Sequence, residues 1–182
     1  MNYHQPSFYR FSEDSLLLVE LAASQIKNKE SIVDLGSGCG VIGLELAQLF
    51  PDSNILLVEK QESFKSSLKK NVMSLSSINI SYIVKNLFEI DLSLFQNIII
   101  NPPYFDQNMS RLSPNLKRSI CRSHDGSFYK LFFEKIEKEM SEKSCLFLSS
   151  PAENLNILKD FSLKTVKRYT CNQICYVQLS KT

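Results

Sequence analysis

The sequence predicts an α/β fold: a mainly parallel seven-stranded sheet with helices on both faces and an antiparallel hairpin at its C-terminal end. Three observations lead to it. Short apolar runs of strand length alternate with longer runs whose apolar residues recur at helical spacing, the pattern of parallel strands joined by crossover helices. The first run ends in glycines and the fourth in Asn-Pro, turn signals rather than helix interiors. Two β-rich runs near the end, LKTVKRYT and ICYVQLS, flank Cys171-Asn172 closely enough to form a hairpin.

In chain order, Ser12 followed by Glu13 and Asp14 predicts a helix start, with a hydroxyl for the cap and acids favoured by the dipole; the helix should run to about Lys27. SIVDLG is the first strand, and the glycines after it open a helix from about Gly40 to Phe50, closed by Pro51. NILLVE is the second strand, Gln61 to about Leu75 a Lys-rich amphipathic helix, ISYIVK the third strand and FQNIIIN the fourth. A loop is expected from about Asn101 to Asp125. SFYKLFFEKIEKEM then places Leu131, Phe132, Ile136 and Met140 at helical spacing with Lys and Glu opposite, a surface helix. SCLFLSS is the fifth strand, Glu153 to Phe161 a short helix, and the hairpin supplies the last two strands.

With 182 residues, 43% of them hydrophobic, the chain fits one compact domain over 1–182, an entry segment and helix over 1–29 and a core over 30–182. Neither a linker nor a repeat interrupts it. A net charge of +2 excludes a strongly basic field but allows a local patch. The five cysteines are scattered and read as reduced thiols. Cys171-x3-Cys175 lacks a second pair or a nearby His, so no metal is expected. The opening MNYHQPSFYRFSEDSLLL has no basic flank, and Glu20 interrupts its apolar part; neither a signal peptide nor a membrane span is predicted, and a cytoplasmic location is expected.

In parallel sheets of this kind ligands sit at the carboxyl ends of the strands. The first such end is DLGSGCGVIG, where Gly36, Gly38 and Gly40 allow the turn and let a ligand approach the backbone. Asp34 precedes them, and Glu59 ends the next strand, where an acid accepts hydrogen bonds from ribose hydroxyls. Asp34 suits a cationic group near the turn and would repel a pyrophosphate, which favours an aminoacyl-type nucleoside over a dinucleotide. A plain tight turn is the alternative. This pattern resembles the class I S-adenosylmethionine-dependent methyltransferases, with their Rossmann-like fold. That resemblance implies that the glycine loop passes the methionine part of S-adenosylmethionine and that Glu59 holds its ribose. It also puts Asn86, in VKNLFE, where many of these enzymes have an Asp against the adenine; a simple turn residue is nearly as good a reading.

The fourth strand ends in Asn101-Pro102-Pro103-Tyr104, where the prolines forbid further ladder bonds. In the resembled fold this end lies beside the donor, where the methyl acceptor must be. The Asn101 oxygen and the outward Pro102 carbonyl can accept the N-H bonds of a delocalised amine. Tyr104 offers a stacking face and Phe105 a wall. The combination is similar to methyltransferases acting on amino groups of adenine, of guanine in ribosomal RNA, or of glutamine in release factors. YRFSEDSLLLVELA, Tyr9 to Ala22, resembles the entry segment of bacterial tRNA adenine-N6 methyltransferases, and the glutamine enzymes usually carry a helical domain ahead of the fold for which about thirty residues leave no room. The resemblance implies tRNA as substrate and places Asp14 near the donor, although Asp14 also fits a helix cap. Arg111, Lys117, Arg118 and Arg122, with His124 read as a loop residue, either contact phosphates flanking a flipped base or form a solvated loop. Arg10, Lys164, Lys167 and Arg168 would extend that track if the fold brings them near. A partner protein, or an inactive donor-binding module, stays open.

Overall fold

A computed structural model describes residues 3–75, 79–106 and 116–182; Arg111 and the side chains of Arg118 and Arg122 lie outside the described residues. Helix α1 spans Glu13–Ala23 and strand β1 Ser31–Leu35; α2 spans Val41–Leu49, β2 Asn54–Glu59, α3 Lys65–Ser74, β3 Ile80–Val84 and β4 Asn97–Ile100. Then come β5 Phe105–Asp106, α4 Leu116–Arg122, β6 Ser123–His124, α5 Phe128–Glu139, β7 Cys145–Pro151, β8 Leu163–Cys171 and β9 Ile174–Lys181. A 3-10 helix over Ala152–Asp160 stands where the short helix was expected.

The large sheet has the order β3-β2-β1-β4-β7-β9-β8. β1 lies between β2 and β4, all parallel, with Leu35 opposite both Val58 and Ile100. β9 runs antiparallel to β7 and to β8, as the hairpin reading requires. The turn between them is Asn172-Gln173, both at positive φ (48° and 69°), the two-residue geometry whose twist matches a hairpin.

Side-chain alternation divides the core into two layers. Ile32, Ile55, Leu57, Ile99 and Phe147 face α1, α2 and α3, burying Leu18, Leu44 and Leu68. Val33, Leu35, Val58, Ile98, Ile100 and Leu148 face the opposite way, onto Phe132, Phe133 and Ile136 of α5. Gly43 permits the first layer: a Cβ there would overlap Leu57 Cδ2, so only glycine lets α2 lie so close to β2.

Several local expectations give way to tertiary context. Ser12 does not cap α1; its hydroxyl donates to Asp14 Oδ2 at 3.0 Å. The helix stops at Ala23 rather than near Lys27, because the Gln25 and Ile26 N-H groups both return to Ala22 O and turn Ile26 into the core. The predicted loop holds β5, α4 and β6, with β5 and β6 pairing in parallel as a separate two-stranded sheet. On α5, Leu131 is 47% exposed, while Tyr129 and Phe133 join Phe132 and Ile136 inside.

Candidate active site

A cleft of about 550 Å3 opens where β1, β2, β3 and β4 end, and the turns after those strands line it. On one side lie Gly36 and Gly38, Glu59, and Asn86 with Phe88. On the other lie Asn101, Pro102 and Pro103, and α4 supplies Ile120 and Cys121. Four expected donor residues therefore meet the first three residues of Asn-Pro-Pro-Tyr in one cavity, of a size that suits a nucleoside-bearing ligand.

Glu59 is buried in the wall and holds the loop in shape: its Oε2 accepts from Gly38 N-H at 2.9 Å and its Oε1 from Gln61 N-H at 2.8 Å. Burial raises its pKa, and the N-H bonds from Gln61 and Gly38 oppose that rise. Each oxygen keeps a lone pair for a ligand hydroxyl. Asp34 and Gly40 stand behind the wall rather than in it. Gly40, at φ 89°, precedes α2, and a Cβ there would come within 3.0 Å of Leu57 Cδ1. Asp34 is 1% exposed; its Oδ2 accepts from Gly43 N-H at 3.0 Å, and its Oδ1 is buried with no hydrogen-bond partner. Burial drives its pKa up to about 7, opposed by the Gly43 bond. Asn86 is both lining and turn: its Oδ1 accepts from Phe88 N-H at 3.2 Å, closing a 3-10 turn.

The carboxamide of Asn101 is held on all sides. Its Nδ2 donates to Ser15 Oγ at 3.1 Å, and its Oδ1 accepts from Ser149 Oγ and from the Tyr104 hydroxyl, each at 2.8 Å. Tyr104 is thus folded inward, and burial raises its pKa, with Asp14 also raising it. Asn154 Nδ2 donates to Tyr104 O at 3.1 Å and pins the motif's backbone. Asp14 does not line the cleft; it sits behind the motif, accepting from Tyr176 OH at 2.9 Å. Phe105 lies in β5, 47% exposed and outside the cleft lining.

The basic candidates whose side chains are described make separate contacts. Lys117 Nζ lies 5.8 Å from the centre of the Phe8 ring, a cation-π distance, and neither residue lines the cleft. Arg10 donates to Pro6 O and Tyr9 O. Lys167 Nζ donates to Ser24 Oγ beyond the C-terminal end of α1, away from Ser15 and Asn101, so it does not extend a track to the cleft. Burial raises the Cys121 thiol pKa.

Sequence reasoning missed several residues. Tyr9 lines the cleft and meets Phe64 edge to face at 5.1 Å. His124 is no loop residue: it lies in β6, 8% exposed, and lines the cleft beside Phe128. Its Nδ1 is 2.7 Å from Asp125 O, which can only accept, so Nδ1 carries the proton; Nε2 is buried without a partner. The crowding of Tyr3, Phe8, Tyr9 and Phe11 before α1 is a signal that could have found the first. Nothing in the sequence marks Ser15 or Ser149. Among the described residues no cluster of His, Cys, Asp and Glu could hold a metal, and no helix is long and apolar enough to cross a membrane.

A family model described as the methyltransferase small domain matches residues 9–123. Over 143 residues the chain is 31% identical to a tRNA1(Val) (adenine(37)-N6)-methyltransferase of Bacteroides thetaiotaomicron, covering 77% of this chain and 57% of that one. Over 92 residues it is 37% identical to a release factor glutamine methyltransferase of Buchnera aphidicola, covering 50% and 33%. The chain thus spans between a third and somewhat over half of the length of these two curated relatives. A solved structure of a putative RNA methyltransferase from Pyrococcus horikoshii aligns with a TM-score of 0.74 at 19% identity, over 100% of this chain and 93% of that one. A putative methyltransferase of Escherichia coli aligns at 0.71 and 15%, over 98% and 90%. These two likenesses are of fold.

Proposed function

The chain belongs to the methyltransferase small domain family, and from that premise we propose that it methylates the exocyclic amine of adenine in RNA, with tRNA as the substrate class. The observation that carries this reading is the Asn101 carboxamide, held by three hydroxyls at the mouth of a cleft whose other wall is Glu59 and the glycine turn. The donor is S-adenosylmethionine, which supplies an electrophilic methyl on a sulfonium. Gly36 and Gly38 would pass its amino-acid part, Glu59 its ribose hydroxyls, and Asn86 its base. The buried Asp34 carboxyl stands behind the same turn, its Oδ1 without a partner.

Asn101 Oδ1 and the Pro102 carbonyl accept the two N-H bonds of the target amine, which localises its lone pair for attack. Pro103 keeps that carbonyl out of any ladder or helix. The Tyr104 ring stacks on the base, worth roughly 1–3 kcal/mol. No general base is needed before attack, because the methylated amine is cationic and loses its proton afterwards. Lys117, Arg118 and Arg122 on α4, with Arg111, would meet phosphates near the target. The 31% identity to the tRNA enzyme over 77% of this chain supports the RNA reading. A second reading, methylation of a protein glutamine amide through the same acceptors, draws on the 37% identity to a release factor enzyme.

The deciding experiment is labelled-methyl transfer from S-adenosylmethionine into undermodified total tRNA, ribosomal RNA and soluble protein, with nucleoside analysis and Asn101→Ala as control. N6-methyladenosine in tRNA is the expected product. Label confined to protein would transfer the assignment to glutamine.

A further inference from the structure

Asn101 is surrounded by three hydroxyls that play different parts. Ser15 comes from α1 and is 4% exposed; Ser149 comes from β7 and is fully buried; Tyr104 comes from the turn itself. An amide oxygen has two lone pairs, and both are occupied, one by Ser149 and one by Tyr104. For Oδ1 to accept an N-H from a substrate, one hydroxyl must leave. Ser149 cannot: it has a short side chain on a central strand, bracketed by β4 on one side and β9 on the other. Tyr104 can, because its hydroxyl ends a long side chain on the turn beyond β4, and rotation of that side chain carries it off Oδ1 while Asn154 still holds the Tyr104 carbonyl.

We propose that Ser15 and Ser149 are positioning residues that clamp the Asn101 carboxamide from its two ends, so that the lone pair now covered by the Tyr104 hydroxyl is the one presented to the acceptor nitrogen. Ser15 takes the NH2 end and Ser149 the carbonyl end, which fixes both the rotation of the amide and which end faces the cleft. The two serines come from elements 134 positions apart, brought together because β7 is the neighbour of β4 and α1 packs across that part of the sheet. The proposal rests on the assignment of Asn101 as the amine's acceptor, and it adds that Asn101 works only while both serines hold it.

Two measurements test it. The first needs no substrate: in the free protein, the Asn101 side-chain amide signal, assigned by its loss in Asn101→Ala, should be rigid, with an order parameter near the backbone value of about 0.85. Ser15→Ala and Ser149→Ala should each drop it towards about 0.6 or below, with the melting temperature recorded for each variant. The second is turnover on undermodified tRNA. Each serine variant should lower kcat about tenfold to a hundredfold, with S-adenosylhomocysteine affinity by calorimetry unchanged. In an Asn101→Ala background, neither should cost anything further. A mobile amide in the wild type, or one unmoved by either substitution, overturns the clamp. If Asn101→Ala is inactive while both serine variants turn over normally, the clamp fails and the acceptor assignment stands. If Asn101→Ala retains full activity, the acceptor assignment itself fails.

Discussion

Asp34→Asn should flatten the dependence of stability on pH. The wild-type carboxyl is buried behind the glycine turn with one oxygen unpartnered, and burial lifts its pKa from an ordinary 3.8 to about 7. The unfolded chain releases that proton near pH 4, whereas the folded chain keeps it until about pH 7. Between those limits the folded state binds more protons, so stability falls as pH rises, by about 1.4 kcal/mol per pH unit. Roughly three pKa units give a loss of about 4 kcal/mol, complete above pH 7. Asparagine keeps an oxygen for the Gly43 N-H and carries no charge at any pH; it shifts the curve by a constant but removes the slope. Urea unfolding of both proteins at intervals from pH 4.5 to 8.5 gives the two curves. The difference should change by about 3 kcal/mol across that range, because pH 4.5 already lies above the unfolded pKa, in favour of the variant. Parallel curves would refute the account of Asp34 as a carboxyl kept protonated by burial.

Gly43→Ala should lose about 1–2 kcal/mol, overpacking against Leu57 exceeding the better helix propensity of alanine, and thermal melting should fall by a few degrees. Glu59→Ala removes the acceptor of the Gly38 and Gln61 N-H groups; calorimetry with S-adenosylhomocysteine should show binding weaker by about 2–3 kcal/mol. Asn101→Ala should leave that affinity intact while cutting kcat at least about a hundredfold, because the lost acceptor acts on the reacting amine. Tyr104→Phe frees one lone pair of Asn101 and keeps the aromatic face, so KM for the RNA should fall with kcat preserved, read from initial rates of label transfer.

The inner strands of the main sheet were legible because each is an apolar run bounded by turn residues; the edge strand β8, exposed along most of its length, was legible from β-rich residues at hairpin distance from β9. The segment between Asn101 and Asp125 was not. β5 and β6 are two residues each and exist only by pairing with each other, and a seven-residue helix carries too little periodicity to announce itself. Leu131 was placed inside α5 because its side chain is apolar, yet the face that meets the sheet is set by Tyr129, Phe132 and Phe133 together. In the site, Gly36, Gly38, Glu59 and Asn101 could be read because glycine, acid and Asn-Pro at strand ends are chemically unusual. Ser15 and Ser149 could not, since a serine acquires meaning only from strand order and the packing of α1.

The central place of β1 divides the cleft into two inheritances. Gly36, Gly38, Glu59 and Asn86, expected to grip the donor, follow β1, β2 or β3 on one flank; Asn101, the serine from β7 and, behind the motif, Asp14 belong to the other flank. A lineage can therefore rework the second flank, and with it the choice of nucleophile, without disturbing the first. Relatives named for adenine and relatives named for glutamine both align to this chain.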